Sequence, residues 1–569
     1  MIGVGLSLTG KLRSSVSAPA SIFSLDEPGI WLDPSDLTTL FQDTAGTQPV
    51  TAAGQSVALA LDKSRGLVLG SELVTNGTFD TNLNGWTLGT DPAAVIATWD
   101  NGRVSLARGA GSNAGFSQTT STVVGRSYRV SFTVVSGVVA IGGAFPTIGG
   151  LTAGQFSRIL VATSGALSFW PNSPSSTAVI DNISVRELPG NHATQSVLAS
   201  RPIYSVVPAT GRRNILTETL FAGAVAGTPG TAPTSWPFNS SGGSITSAAN
   251  CVIGFSVTGA RQIIGQVVTV AANQTQTWSV TVVSNPNGLS FNQLFAVINP
   301  TGLTTLSYFA NGVTITATTY VPQAGERLSA LLINGGTQIT PTFRIGVGVS
   351  AIATGAASFT SPQAELGSVV TPYQRVVSQY DVTEAGVQSL SYLAFDGVDD
   401  FLVTPTITPN INKVQVFAGV RKLSDAAIGM LVEHSADLNV NAGTFWLGAP
   451  IVTNAGNYNF LSRGSIVPAN GAGAFNATAP STNVITGLGD ISADSMILRN
   501  NGVNTGSSVL DQGTGNYLAY PLYIGRRGGT TLPFNGNLFG LIVRFGASLS
   551  ADKIKSVENW MATRTGVTF

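Results

Sequence analysis

Leu61-Asp62-Lys63-Ser64 breaks off, and Gly190-Asn191-His192-Ala193-Thr194-Gln195 takes up the same chain much later. The stretch between has its own beginning, Leu73-Val74-Thr75-Asn76-Gly77-Thr78-Phe79-Asp80, and its own end, Ile180-Asp181-Asn182-Ile183-Ser184-Val185-Arg186. Inside it, short runs at 95–99, 104–107, 127–135, 158–161 and 180–185 alternate apolar with polar side chains, and Gly, Asn and Ser separate them. A period of two puts one face of a strand on a core and the other toward solvent. Many such short strands divided by turn residues predict a sandwich. Residues 65–189 therefore read as a β-domain inserted into a loop of another domain, an arrangement tolerated where a domain's termini lie close together.

The interrupted domain gathers 26–64, 190–206 and 381–569. Gly29-Ile30-Trp31-Leu32 reads as a strand and Asp33-Pro34-Ser35-Asp36 as a turn, with Asp36 or Ser35 capping a single helical turn through Leu37 and Leu40. Further strands are expected at 57–61, 392–396, 414–420, 445–447, 520–524 and 538–545. One helix is signed near the end: Ser550 as N-cap, Leu549 with Ile554 as a hydrophobic staple, an apolar face of Ile554, Val557, Trp560 and Met561, and Gly566 as the stop. Residues 207–380 read as a second inserted sandwich, opening at Asn214-Ile215-Leu216 and closing at Ala364-Glu365-Leu366-Gly367 and Thr371-Pro372-Tyr373-Gln374-Arg375. The expected class is all-β: several β-sandwich or jelly-roll domains and one short C-terminal helix. Residues 1–25, apolar and then Ser/Ala/Pro-rich, read as an anchoring arm through Ile2, Val4, Leu6 and Leu8. Lys11 and Arg13 follow the apolar run, the reverse of a secretory leader.

Composition narrows the partners. In 569 residues, 28 Lys and Arg balance 28 Asp and Glu, and no basic run occurs, which argues against nucleic acid. Between Arg261 and Glu326 no charged residue occurs, which favours an assembled, multi-subunit context. Val130–Leu151, the longest other uncharged apolar region, contains Gly, Ser, Thr and Pro and reads as strand–turn–strand, so no membrane span is expected. The lone Cys251 permits no intrachain disulfide.

The pieces 29–37, 40–43, 61–64, 190–195, Ser200-Arg201-Pro202, Phe395-Asp396-Gly397-Val398-Asp399-Asp400, Tyr523-Ile524-Gly525-Arg526 and Phe534-Asn535-Gly536 together resemble the concanavalin-A-like (laminin-G-like) domains of bacteriophage and prophage virion proteins. The first insert, through Asn76-Gly77-Thr78-Phe79-Asp80, Gly85-Trp86 and its closing run, resembles carbohydrate-binding jelly rolls of the family 4/9 type. The second resembles related sandwich modules of phage tail proteins through Glu365–Arg375. These resemblances imply a tail-fibre, head-fibre or receptor-binding protein of the virion, made in the host bacterial cytoplasm. They imply a homotrimer docked to other virion proteins by its arm, its modules meeting bacterial surface polysaccharide or decorating the particle. They also imply a structural calcium shared by Asp80 and Asp181, since calcium takes several oxygen ligands.

Sugar sites pair exposed aromatic faces with polar groups. Trp170 and Trp236, beside Pro and Asn in expected loops, are the candidates, whereas Trp86 reads as core. The three carboxylates of 396–400 surround an Asp-Gly turn that a calcium ion or a sugar hydroxyl could also use. Only His192 and His434 are available for imidazole chemistry, and no phosphate-binding or dinucleotide fingerprint appears. The expectation is a protein that is not an enzyme. A polysaccharide depolymerase, which needs only two carboxylates, and a secreted bacterial adhesin are the alternatives.

Overall fold

The computed structural model describes residues 19–24, 27–249 and 251–569. The chain is all-β apart from short 3-10 turns, the one-turn helix Phe291–Leu294 and the C-terminal helix Ala551–Thr565. It divides into two compact units, one running up to Tyr204 and resuming at Ser391–Phe569, the other Ser205–Leu390.

In the first unit the two ends of the interrupted chain meet at Asp62, which is fully buried. Its carboxylate accepts the backbone N–H groups of Trp31 (2.8 Å), Ser64 (2.8 Å) and Asn191 (2.7 Å). The Asp62 N–H donates to His192 Nδ1 at 3.0 Å, and Asn191 Nδ2 donates to Gly29 O at 2.7 Å. The two halves of the interrupted motif are thus one hydrogen-bonded knot. Around it, strand Asn535–Phe545 pairs with Gly29–Leu32, Lys413–Lys422 and Ser389–Asp396, and the sheet continues through Ser481–Asp490, Ser495–Asn500 and Val503–Ser508. A nine-stranded sheet from Leu40–Phe41 to Ala472–Asn476 faces it. Phe545 of one sheet packs on Phe445 (5.8 Å) and His434 (4.9 Å) of the other. Gly487 lies so close to the Phe460 ring that a Cβ there would meet it at 2.4 Å.

The C-terminal helix begins and ends where the sequence places it. Ser550 accepts from Lys553 N, and Gly566 stops the helix at φ 72. Trp560 meets Trp31 edge-on at 5.7 Å, and Met561 fills the space left by Gly419. Residues 19–24, which the sequence reading gives to the arm, pack on this face: Ile22 is buried with Trp31 and Met561, and Arg544 Nε donates to its carbonyl at 2.9 Å. Ile2, Val4, Leu6 and Leu8 lie outside the described residues.

Strands Val95–Trp99, Val104–Arg108, Ser127–Gly137, Gly154–Val161 and Ser176–Glu187 form one five-stranded sheet. Thr87–Leu88, Phe116–Thr119, Val139–Gly143, Ile148–Leu151 and Ala166–Pro171 form another, with a shared aromatic core between the two. The opening and closing motifs of this segment lie side by side. Ile183 N donates to Gly77 O at 2.9 Å, and Glu72 accepts from Val185 N at 2.8 Å. Leu59 and Leu61 cluster with Ile159 and Leu188, packing this segment onto the rest of its unit.

The second unit contains a four-stranded and a seven-stranded sheet. Their core holds Trp236 and Trp278, both fully buried. Its opening and closing motifs also join. Gln374 Oε1 accepts from Arg213 N (2.6 Å) and Asn214 N (3.2 Å), while Asn214 Nδ2 donates to Gln374 O (2.9 Å) and Pro362 O (3.2 Å). Arg213 then pairs with Glu384 at 2.8 Å. Burial pushes the Glu384 carboxyl up, but hydrogen bonds from Arg213, Gln374 and Thr210 outweigh it and hold the group down at about 2.

Candidate functional site

The predicted sugar-binding tryptophans are core residues. Trp236 is fully buried: its Nε1 donates to Glu218 O at 2.8 Å and its ring meets Phe343 edge-on at 5.6 Å. Trp236 N closes the turn onto Pro233 O at 3.0 Å. Trp170 is 8 % exposed, and it lies over Gly142, where a Cβ would meet the ring at 2.7 Å. The missing side chain makes room for the indole. Trp86 is core as expected, stacked on Phe116 at 4.5 Å.

Asp80 and Asp181, which the resemblance pairs around a calcium, each make short-range hydrogen bonds. Both Asp181 oxygens accept from Asn182, its backbone N–H at 2.7 Å and its Nδ2 at 3.1 Å. Asp80 accepts the Thr78 hydroxyl at 3.1 Å. These bonds hold each carboxylate in its own turn and leave lone pairs on both.

Both histidines serve the scaffold. His192 accepts from Asp62 N and has its other ring nitrogen 3.2 Å from Leu188 O, and burial lowers its pKa despite the pull of Asp62. His434, fully buried among Phe445, Tyr517, Tyr520 and Phe545, is driven down to about 3 by burial.

The turn 396–400 is the carboxylate cluster of the described residues: ligand oxygens of Asp396, Asp399 and Asp400 lie within 4.8 Å of one another. Asp396 accepts from Val398 N and Asp399 N, Asp399 from the Ser200 hydroxyl, and Asp400 from Asp396 N. Burial first, then the neighbouring Asp396 and Asp399, push the Asp400 carboxyl up to about 7. Arg526, whose Nη1 donates to Asp399 O, puts a cation at the same turn.

Two concavities among the described residues could hold a ligand. The larger, about 860 Å³, lies in the first unit between 123–127, 187–194 and 403–408. Its lining is mixed: Thr404, Thr406 and Thr408, the Arg126–Glu187 pair, and Val123 and Val124, with no Phe, Tyr or Trp among its described residues. The smaller, about 430 Å³, lies in the second unit on strands Thr275–Ser284, Leu303–Ala310 and Arg327–Asn334. Leu328, Ala330 and Leu332 point into the core, so Arg327, Ser329 and Leu331 point outward. Register then sets Phe309, Ser329 and Ser279 in one row, and Ser307, Leu331 and Thr277 in the next. Asn311 closes the upper end, its Oδ1 accepting from Arg327 N at 2.9 Å, and Ser368–Val370 form the far wall. The result is a trough with one partly exposed ring, one guanidinium and several hydroxyls.

Sequence reasoning missed Phe309 because Tyr308-Phe309-Ala310 reads as a continuous apolar run. The signal was parity: Leu306, Tyr308 and Ala310 pack on the core, whereas Phe309 shares the outward parity of Thr305 and Ser307.

No family model and no curated protein matches the chain. Among solved structures it is similar to the CBM40 domain of the Ruminococcus gnavus IT-sialidase bound to α2,3-sialyllactose: 19 % identity, TM-score 0.20, covering 26 % of this chain and 83 % of that one. It is also similar to a "putative carbohydrate binding protein" from Bacteroides ovatus ATCC 8483, at 10 % identity and TM-score 0.23, covering 54 % of this chain and 79 % of that one. Both scores are far below 0.5, so function has to be read from this chain's own residues.

Proposed function

We propose that the chain is a non-enzymatic structural protein of a bacteriophage virion, a tail fibre, head fibre or receptor-binding protein, whose sandwich modules meet bacterial surface polysaccharide. The observation that supports glycan contact is the trough of the second unit. A partly exposed aromatic ring beside an exposed amide and an exposed hydroxyl offers an apolar sugar face a surface and its hydroxyls partners. The scaffold pieces that resemble virion domains support the setting, and those around 29–31, 62–64 and 191–192 are joined in the knot at Asp62. In a homotrimer anchored by the residues that precede 19, three weak sites would act together and gain avidity. Cryo-electron microscopy of the purified particle tests this. Three-fold density for the chain, with its N-terminus against a portal, tail or capsid protein, is expected; its absence from the particle overturns the virion reading.

A polysaccharide depolymerase is the second reading, and the 396–400 turn favours it. Asp400, held up near 7 by burial beside two further carboxylates, is the kind of acid that glycoside hydrolysis pairs with a second carboxylate. Release of reducing ends from capsule or lipopolysaccharide, abolished by Asp400→Asn, would establish it. Undiminished polymer leaves the non-enzymatic reading in place.

A further inference from the structure

We infer that the trough in the second unit takes a neutral glycan, holding adjacent sugar hydroxyls beside Phe309, and does not take an acidic sugar through its carboxylate. The inference rests on the glycan-binding reading above and specifies its ligand.

Among the described residues, Arg327 is the one cation lining the trough. A carboxylate is best held by two parallel N–H groups of a guanidinium fork. Here the fork is turned into the protein: Nη1 donates to Thr281 Oγ1 (3.0 Å) and to Ser361 O, and Nη2 donates to Ser279 Oγ (2.8 Å). Glu365, fully buried, stands opposite Thr277 in the next strand. Its carboxylate partly offsets the Arg327 charge and would repel an anion entering the trough. Arg327 is thus tied into the floor, and an acidic sugar would gain little from it.

The groups left for a ligand are neutral. Thr277 and Ser329 are buried in the floor, the Thr277 hydroxyl donating to Gly367 O at 2.8 Å, so the exposed Ser368 hydroxyl and the exposed Asn311 amide are the polar side chains that face a ligand. Phe309 supplies a ring for the C–H face of a pyranose. Asn311 lies one register step beyond Phe309, past Ala310, so a ring stacked on Phe309 brings its hydroxyls toward the amide. About 430 Å³ is near the low end of the roughly 300–1,000 Å³ typical of small-ligand sites, which suits a short stretch of chain.

The test uses the full chain on two panels, neutral gluco-, galacto- and manno-oligosaccharides and oligosaccharides carrying uronic or sialic acids, titrated at 50 and 500 mM NaCl. Phe309→Ala and Asn311→Ala are the variants, and an unchanged melting temperature certifies their fold. Expected are neutral binders whose affinity is the same at both salt concentrations, at least 10-fold weaker in Phe309→Ala and about 3–10-fold weaker in Asn311→Ala. Binding confined to the acidic panel and weakened by salt overturns the ligand class while leaving glycan binding intact. Neutral binding that both variants retain in full overturns the trough as the site. No binding on either panel overturns this inference and the glycan-binding reading together.

Discussion

Two strands of the molecule carry almost the same pattern and sit in different surroundings. Ser127-Tyr128-Arg129-Val130-Ser131-Phe132-Thr133-Val134 lies in the first unit and Thr275-Gln276-Thr277-Trp278-Ser279-Val280-Thr281-Val282 in the second. In the first, Tyr128, Val130, Phe132 and Val134 enter the core while Arg129, Ser131 and Thr133 stay partly exposed. In the second, Trp278, Val280 and Val282 enter the core, but Thr277 and Ser279 on the opposite face are buried too. The difference comes from what is laid on the polar face. Arg327 crosses it, and Glu365, Gln363 and the loop at Thr371 close over its edge. Alternation fixes which side chains share a face; only distant segments decide whether that face is wet.

The widest separation between the two faces is expected at Glu365. It is fully buried, accepts from Gln363 Nε2 (2.8 Å) and Thr371 N (2.9 Å), and takes the Thr371 hydroxyl as well. Glu365→Ala strands those donors and removes a buried charge near Arg327, at a cost of about 3 kcal/mol or more. Arg129→Ala, on the exposed polar face of the first strand, should cost within about 0.5 kcal/mol. Urea titration of both variants measures the contrast, and equal midpoints would break it.

Two acids with opposite shifts extend the comparison to pH. Asp400 in the first unit has its folded pKa raised to about 7, so the folded state keeps a proton that the unfolded chain loses, and stability falls as pH rises from about 4 toward 7. Asp400→Asn should remove that loss, stabilising the protein at pH 8 by about 1–3 kcal/mol, one pKa unit being worth 1.36 kcal/mol, and changing little at pH 4. Glu384 in the second unit has its folded pKa lowered to about 2. Its contribution is complete above about 4.5 and disappears as pH falls toward 2. Glu384→Gln should therefore cost about 1–2 kcal/mol at pH 7 and nothing near pH 2. Melting curves across pH 2–8 read both signs, and parallel curves for wild type and variants would remove the assigned causes.

Legibility in the sequence followed the range of the interactions. Ser550 and Gly566 bound the helix through contacts a few residues away, so the helix was readable to the residue. The splice at Asp62 was readable because its partners Ser64, Asn191 and His192 are themselves the motif. The aromatics were not. Trp236 sits among turn residues, and Trp170, expected in a loop, lies in strand Ala166–Pro171; Phe343 and Gly142, far along the chain, decide that both are packed. The closing run Glu365–Arg375 was recognised as a boundary; that it also covers a polar sheet face could not be seen without the register that sets Thr277 opposite Glu365.

The finest test of the comparison uses one atom at equivalent positions. Ser279 and Ser131 occupy the same place in the two patterns, each one residue before a core side chain, Val280 or Phe132. Ser279 is fully buried, and its hydroxyl accepts from Arg327 Nη2 at 2.8 Å; Ser131 is partly exposed. Removing a hydroxyl that solvates a buried cation leaves a charged N–H short of a partner, whereas water replaces a hydroxyl at the surface. Ser279→Ala should therefore destabilise by about 1–2 kcal/mol, and Ser131→Ala by less than about 0.5 kcal/mol. The double variant Ser279→Ala with Thr281→Val sharpens this further. Both hydroxyls serve one guanidinium, so their costs should not add, and a double-mutant cycle should return a coupling of about 0.5 kcal/mol or more. Strict additivity would mean that the guanidinium is hydrated in solution, and that the face on Ser279 is as wet as the one on Ser131.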